Sequence, residues 1–272
     1  MGEGIITDFT GRMSYGDYLG LDQVLSAQRP LSGQHDETLF IIIHQVQELW
    51  LKLMLHELDL AMECLRRDEL RPAFKATARI CRIQRQMVEA WDVLTTMTPH
   101  DYLAFRASLG SSSGFQSLQY RLLEFRMGAK DPAMMRPHAH RPEAHAALQA
   151  ALEAPSIYDE ALRLLARRGH PIPAEVLERD VSKPYQPHPD VVAAWAAIYS
   201  AGEAEMDLYE LAEELVDLED GFGTWRFRHM RTVERIIGRR RGTGGSAGVA
   251  YLEGAVERRF FPELYEARTA IA

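Results

Sequence analysis

The stretch Phe40-Ile-Ile-Ile-His44-Gln-Val-Gln-Glu48-Leu-Trp50-Leu-Lys52-Leu-Met-Leu-His56-Glu57 decides the fold class. Its apolar residues recur at intervals of three and four, the period of an α-helix, and not at the interval of two expected in a strand. The same spacing extends over residues 37–67 and predicts a long helix that is buried over much of its girth. Most of the chain repeats this period, so we expect an all-α protein.

Further helices follow from the same spacing in the rest of the chain. One begins at Pro72 and ends before Pro99, a short one is capped by Thr98, helical spacing resumes at Phe115, and others cover 155–168 and run from Pro189 into the basic stretch at 225–238. Residues 110–114, rich in glycine and serine, interrupt the pattern, and the prolines of 171–187 mark a connection. Because no repeat or linker divides the chain, we expect a single large domain over residues 1–272 with a helical-bundle-like core.

Residues 129–147 are rich in proline, histidine and alanine, a composition that predicts an exposed excursion. His138, His140 and His145 lie in it, but no cysteine or suitably spaced carboxylate accompanies them. Solvent exposure therefore explains these histidines better than a metal site does.

The composition argues against several classes of function. The chain has 272 residues and 46% hydrophobic content, enough for a sizeable core. A formal net charge of -8 argues against a nucleic acid partner, because phosphate binding needs a basic surface. Cys64 and Cys81 form no paired framework, which is typical of a reducing compartment. Neither a stretch of about 20 apolar residues nor a secretory leader is recognisable, so we expect a cytoplasmic protein without a membrane partner.

A single histidine lies within the basic stretch Trp225-Arg-Phe-Arg-His229-Met-Arg-Thr-Val-Glu-Arg-Ile-Ile-Gly238. In a helix, Trp225, Val233 and Ile236 share the face of His229, so its imidazole points along an apolar stripe. A neutral imidazole in that position can bind a buried metal or haem iron, although a single histidine on an apolar face is more often a hydrogen-bonded core residue. The arginines around it fit either a cofactor with carboxylates or a solvated helix face.

A second histidine, His44, shares a face of the long helix with Phe40 and Glu48. The zinc-protease pattern His-Glu-x-x-His is absent, and Glu48 follows His44 in the wrong order for a di-iron bundle. A core histidine bonded to a neighbouring carbonyl remains a good alternative.

The glycine-rich residues 241–248 follow the basic helix. No strand precedes them, and their spacing misses both the P-loop and the dinucleotide patterns. A loop that brings backbone groups and the Thr243 hydroxyl to a small zwitterion is compatible with the sequence, as is a turn that simply ends the helix.

Taken together, these motifs resemble the bacterial tryptophan 2,3-dioxygenase family. The matching segments are Phe40-x-x-x-His44-Gln with Glu48-Leu-Trp-Leu-Lys52, Tyr102-x-x-Phe-Arg106, Ser112-Ser-Gly-Phe-Gln-Ser-Leu-Gln-Tyr-Arg121, Trp225-Arg-Phe-Arg-His229-Met-Arg-Thr, and Gly242-Thr243-Gly-Gly-Ser. They occur in the family's order over about residues 15–268. Several widely separated matches at site positions are far more specific than a likeness of fold.

The resemblance implies a b-type haem buried between helices, with His229 as the axial ligand of an iron that is ferrous in the active form. Trp91 is expected beside this cofactor. It also implies that His44 hydrogen-bonds the indole N–H of the substrate, and that Arg106 pairs with the substrate carboxylate. Tyr102 and the Thr243 hydroxyl are expected to help Arg106.

The remaining implied positions form the walls of the site. Phe40, Leu109, Ser113 and Gly114 match the surroundings of the indole and the oxygen. Tyr15, Tyr18 and Leu19, within the N-terminal segment 1–20, match a part that a neighbouring subunit contributes. By that pattern the protein is a homotetramer, a dimer of dimers.

The activity implied is cleavage of the indole C2–C3 bond of L-tryptophan with O2 to N-formyl-L-kynurenine, the first step of tryptophan catabolism by the kynurenine route. A related haem monooxygenase acting on tryptophan or methyltryptophan in secondary metabolism is the main alternative. A third hypothesis is a non-catalytic all-α protein that binds or senses haem. The joint presence of His44, Arg106 and Thr243 favours the dioxygenase over the monooxygenase. Haem sensing is disfavoured because it has no use for Arg106, Tyr102 and Thr243, which would read an amino acid.

Overall fold

The structure is a computed structural model that describes residues 5–271, and within that range every regular element is a helix. The α-helices are α1 (Tyr15–Leu19), α2 (Leu21–Leu25), α3 (Asp36–Arg66), α4 (Leu70–Leu94), α5 (Pro99–Arg106), α6 (Leu118–Met127), α7 (Pro142–Glu153), α8 (Ile157–Arg167), α9 (Ala174–Leu177), α10 (Pro189–Ala201), α11 (Met206–Ile237), α12 (Val249–Val256) and α13 (Pro262–Ala270). Short 3-10 helices cover Ala107–Leu109, Gly114–Gln116, Pro132–His138 and Gly202–Glu205. The predicted all-α class is confirmed.

Three long helices, α3, α4 and α11, form the centre of the fold, and α4 packs against both of the others. Their buried side chains follow the helical period, as in Met54 and Leu58 of α3 or Ile80 and Met87 of α4. A Cβ at Gly221 of α11 would overlap the side chain of Gln84 on α4. Glycine at this position therefore lets the two helices approach closely.

Helix α3 is long and apolar enough, by length and composition, to cross a membrane, contrary to the expectation from the sequence. In the fold it packs against α4, α6 and α8. Its second half contributes fully buried residues such as Met54 and Leu58 to the main core. These contacts are those of a helix with one face in the core, and Ile42, Leu49 and Leu60 on its other faces are exposed.

Helix α5 begins where the sequence predicts, at the cap residue Thr98. The Thr98 hydroxyl accepts a hydrogen bond from the backbone N–H of Asp101 at 3.3 Å, and the Asp101 carboxylate accepts one from the N–H of Thr98 at 2.9 Å. This reciprocal capping satisfies two donors that a helix start otherwise leaves free. It fixes the start of the helix that carries Tyr102 and Arg106.

The prediction that residues 129–147 form an exposed excursion is wrong in part: residues 139–143 are exposed, but others in the segment are buried. The segment contains a 3-10 helix and the start of α7, and Lys130, Met135 and His138 are buried, although His140 is exposed. Met135 belongs to a small second core with Phe125 and Leu148. A proline- and alanine-rich composition gives no periodic signal, and the burial comes from contacts with α6 and α7 that local sequence does not encode.

Candidate functional site

A cavity of about 530 Å³ lies between the first half of α3, the end of α4, the second half of α11 and the loops around Ser113 and Thr243. Its size is in the usual range for cofactor and small-molecule sites. Eight of the residues predicted for the site line it: Phe40, His44, Trp91, Tyr102, Ser113, Gly114, His229 and Thr243. Residues far apart in the sequence thus meet at one place.

The imidazole of His229 lies on the apolar stripe of α11, as its spacing predicts. The ring of Trp91 stacks on it, with centroids 4.8 Å apart and planes 18° apart, and Trp225 stacks at 5.6 Å and 24°. Burial, and to a smaller extent the nearby His44, lowers the pKa of His229 to about 4. The ring is therefore neutral near pH 7, with a lone pair available to a metal ion.

His44 points into the same cavity from α3, and its hydrogen bonding defines which ring nitrogen is exposed there. Its Nδ1 lies 2.7 Å from the carbonyl oxygen of Phe40, one turn earlier. A carbonyl can only accept, so Nδ1 carries the proton and Nε2 keeps a free lone pair. Burial also lowers the pKa of His44, partly offset by this hydrogen bond. The exposed nitrogen can therefore accept a hydrogen bond from a bound N–H group.

Tyr102 and Arg106 are on adjacent turns of α5 at one end of the cavity. Tyr102 is buried and lines the wall, and burial raises its phenol pKa, an effect that Arg106 partly opposes. Arg106 does not line the wall itself. Its Nη2 donates to the carbonyl oxygen of Arg241 at 2.7 Å, whereas its Nε is buried and has no hydrogen-bond partner among residues 5–271. A guanidinium with an unsatisfied donor is suited to a carboxylate ligand.

The glycine-rich segment after α11 closes the cavity against the loop that follows α5. The Thr243 hydroxyl donates to the carbonyl oxygen of Ser112, which joins the two segments. A Cβ at Gly244 would collide with the side chain of Ser113, and Gly248 has a φ of 65°, which side chains rarely tolerate. These glycines are required for the close approach of the two loops.

A buried basic cluster borders the cavity. Arg121 and Arg226 are only 2% and 4% exposed, and both line it. Arg121, Arg226 and Arg258 all pair with one buried carboxylate, that of Glu124. Three guanidinium groups share one negative charge, and no group in the described part of the chain accepts a hydrogen bond from the Nε of Arg121. The cluster therefore carries an excess of positive charge that favours an anionic group in the cavity.

The other arginines of the basic helix divide between core and solvent. Arg226 is buried, whereas Arg231, Arg235 and Arg239 are exposed. The two sequence-based explanations of these arginines, a cofactor with carboxylates and a solvated helix face, therefore each fit some of them. Position on the helix decides between them, because Arg226 is on the inward face one turn before His229.

Besides Arg106, four of the residues predicted for the site do not line the cavity. Leu109 is half-buried in the 3-10 helix after α5 and packs against the core. Tyr15, Tyr18 and Leu19 are on α1 and are 75%, 76% and 42% exposed. Within the single chain, α1 thus leaves these side chains free for another surface.

Sequence reasoning also missed residues that line the cavity. Gln47, Tyr120 and Arg121 are on its wall, but no role was assigned to them from the sequence. Gln47 follows His44 by three residues and so shares its helix face, and Arg121 ends the motif that contains Ser113. Both could have been identified by following the faces and motifs one turn further.

Comparison with known proteins gives one consistent result. The sequence model of the tryptophan 2,3-dioxygenase family matches residues 3–271. Proteins named tryptophan 2,3-dioxygenase include one from a strain of Bacillus cereus, 52% identical over 100% of this chain and 97% of the relative. Another, from Burkholderia pseudomallei (strain 668), is 57% identical over 97% of this chain and 86% of the relative. A third, from Cupriavidus necator, is 56% identical over 96% of this chain and 89% of the relative. The chain therefore belongs to the tryptophan 2,3-dioxygenase family and is an enzyme of that family.

Proposed function

We propose that this chain cleaves the indole C2–C3 bond of L-tryptophan with O2 to give N-formyl-L-kynurenine, in the cavity lined by His44 and His229. Family membership supports the substrate and the class of reaction. The observation that carries the proposal is the pair of histidines, from α3 and α11, that face one largely apolar cavity with lowered pKa values. This reaction would be the first step of tryptophan catabolism.

The residues around the cavity fit a b-type haem. His229 would hold the iron, and Trp91 and Trp225 would flank its imidazole. Arg121 and Arg226 would face the propionates. The two positive charges left over after Glu124 is paired match the two carboxylates of haem b. When bound, ferrous haem supplies the activation of dioxygen.

The indole ring of tryptophan would be oriented by His44. Its Nε2 has the free lone pair that an indole N–H requires, because Nδ1 donates to Phe40. The ring of Phe40 lies 4.1 Å from that of His44, centroid to centroid, and would pack against the indole. Ser113 and Gly114, with Leu109 behind them, would complete the wall and exclude water.

The amino-acid end of the substrate would be read by Arg106. Its Nε would donate to one carboxylate oxygen, and Nη2, on the same edge of the guanidinium, would turn from the Arg241 carbonyl to the other oxygen. Tyr102, beside Arg106, and the Thr243 hydroxyl would bind the remaining polar atoms. Recognition at both ends holds the C2–C3 bond in one orientation, which is the main contribution of this protein to the rate.

His44 acts in this scheme as a positioning group and not as a general base. An indole N–H is a very weak acid, and a histidine whose pKa lies below its usual value of 6.5 is poorly matched to removing that proton. The proton stays on the indole nitrogen and is shared with Nε2.

We further propose that the active protein is a cytoplasmic homotetramer, a dimer of dimers, in which α1 closes the cavity of a neighbouring subunit. The N-terminal residues present many exposed apolar side chains: Ile5, Ile6, Phe9, Met13, Tyr15, Tyr18, Leu19 and Leu25. Such a patch is typical of a protein interface. Cys64 and Cys81 are both free thiols, which supports a reducing compartment.

A visible spectrum and a product mass test the proposed function. The purified protein should show a haem Soret band that responds to dithionite and carbon monoxide, and tryptophan under air should gain two oxygen atoms. One added oxygen would indicate the monooxygenase, and haem without turnover would indicate the binding protein. His229→Ala should fold but lose most haem, whereas His138→Ala, a buried histidine outside the cavity, should retain it. Haem content equal to wild type in His229→Ala would contradict the assignment of the ligand.

A further inference from the structure

We propose that Gln47 is a positioning residue for the iron ligand, because its side-chain amide fixes the indole of Trp225 against the imidazole of His229. This inference rests on the proposed haem function. It concerns three helices at once, since Gln47 is on α3, its other partner is on α4, and Trp225 and His229 are both on α11.

Both ends of the Gln47 amide are used. Its Nε2 donates to the carbonyl oxygen of Met87 at 2.8 Å, and its Oε1 accepts from the indole Nε1 of Trp225 at 3.1 Å. The Met87 carbonyl can only accept and the indole N–H can only donate, so the amide has one possible orientation. Gln47 is 4% exposed. A buried amide with both ends satisfied is rigid, and it makes the position of the Trp225 ring depend on helices α3 and α4.

Trp225 in turn limits the orientation of His229. Its ring stacks on the imidazole at 5.6 Å and 24°, and Trp91 lies on the same imidazole at 4.8 Å and 18°. The Nε1 of Trp91 is buried, and within the described residues it has no hydrogen-bond partner. Of the two indoles beside His229, Trp225 is therefore the one that the protein anchors by a hydrogen bond.

Packing alone does not explain a glutamine at this position. A leucine or methionine would fill similar space without the cost of burying an amide. The hydrogen bonds also join the helix of His44, one turn earlier on α3, to the helix of His229. Gln47 thereby couples the two histidine-bearing walls of the cavity through a single side chain.

Gln84 offers a matched control. It is also a buried glutamine, 1% exposed, and it joins α4 to α11 by donating from Nε2 to the carbonyl oxygen of Leu218 at 2.9 Å. It does not line the cavity, and its Oε1 accepts no hydrogen bond from any residue that the structure describes. Replacing Gln84 by methionine therefore removes a comparable helix–helix contact away from His229.

The test compares Gln47→Met with Gln84→Met as reduced, haem-loaded protein. We expect Gln47→Met to shift and broaden the iron–histidine stretching band in resonance Raman spectra. Its haem should transfer to apomyoglobin roughly 10- to 100-fold faster, the range seen when supports of a metal ligand are removed. Gln84→Met should lower the melting temperature but leave the band and the transfer rate unchanged.

A double variant tests whether Trp225 is the intermediary. In a Trp225→Phe background there is no indole N–H to anchor, so Gln47→Met should cause no further change in the iron–histidine band. An undiminished effect in that background would overturn the proposal. So would a folded Gln47→Met protein with a wild-type band and a wild-type transfer rate.

Two further measurements keep the inference separable from folding and from the haem assignment. If Gln47→Met does not accumulate, Gln47→Glu serves instead. Its carboxylate is repelled by the Met87 carbonyl, so it should displace the indole of Trp225 and shift the iron–histidine band. A wild-type band in Gln47→Glu would also contradict the proposal. In 15N spectra of the whole protein, the indole N–H signal of Trp225 should move and exchange faster in Gln47→Met. An unchanged signal would overturn the hydrogen bond, whereas wild-type protein without haem would overturn only the proposed function.

Discussion

The Nδ1 atom of His44 lies 2.7 Å from the carbonyl oxygen of Phe40, and this contact leaves Nε2 as the hydrogen-bond acceptor in the cavity. The histidine is thus oriented by the backbone one turn earlier on its own helix. A histidine held in this tautomer can accept from an indole N–H but has no proton to give from Nε2.

The first prediction concerns this acceptor. His44→Ala and His44→Ser should lower turnover of tryptophan without abolishing it. The loss of the hydrogen-bond partner of a buried indole N–H should raise the activation free energy by about 1–3 kcal/mol. The substrate analogue 1-methyltryptophan has no N–H and clashes with His44, so the smaller variants should accept it better than wild type does. Steady-state rates with both substrates measure this. Complete inactivity of both variants, with haem and tryptophan still bound, would show that His44 is chemically indispensable.

Arg106 is predicted to read the substrate carboxylate. Arg106→Ala should raise the KM for tryptophan roughly thirtyfold or more, since removing one partner of a desolvated ion pair costs about 2–5 kcal/mol. Binding of indole, which has no carboxylate, should change much less. Arg106→Lys keeps the charge but not the planar pair of donors, so its KM should lie between those of the wild type and Arg106→Ala. Equal losses for tryptophan and indole would indicate misfolding and not a lost contact.

The sequence predicted those parts of the site that lie on regular helices. His44 and His229 could be identified because each is on a helix face whose period is readable, and the capping pair Thr98 and Asp101 is local. The basic cluster around Glu124 was not predictable in this way. It depends on the approach of α6, α11 and the segment before α13, and local patterns do not encode which of many arginines meets a given carboxylate.

Lys130, from the segment wrongly predicted to be exposed, gives a prediction about pH. Its Nζ donates to the carbonyl oxygens of Ala151 and Ala154 at 2.6 and 2.7 Å, yet burial lowers its pKa from 10.5 to about 8. Between these values the unfolded chain binds more protons than the folded protein, so the free energy of unfolding should rise with pH. The resulting gain in the free energy of unfolding is at most about 3 kcal/mol. It is complete above pH 10.5, where Lys130 is neutral in both states, and it is lost as the pH falls through 8.

Denaturant unfolding of wild type and Lys130→Met at several pH values from 7.5 to 10.5 measures this effect. Other titrating groups are common to both proteins, so the difference in unfolding free energy isolates Lys130. We expect wild type to gain on the variant as the pH rises. Parallel curves would mean that the lysine titrates alike in the folded and unfolded states.

The last prediction concerns α1, whose side chains Tyr15, Tyr18 and Leu19 are exposed in the single chain and do not line its cavity. If they complete a neighbouring subunit's site, deletion of residues 1–19 should lower tryptophan turnover sharply while haem content survives, because the buried core is unaffected. Deletion of residues 1–12 is the matched control, since it retains α1 and its capping pair Ser14 and Asp17. Turnover, haem content and the mass in solution should be measured together. A tetramer of the longer deletion with wild-type turnover would show that α1 is needed neither for assembly nor for turnover, and that each cavity is complete without it.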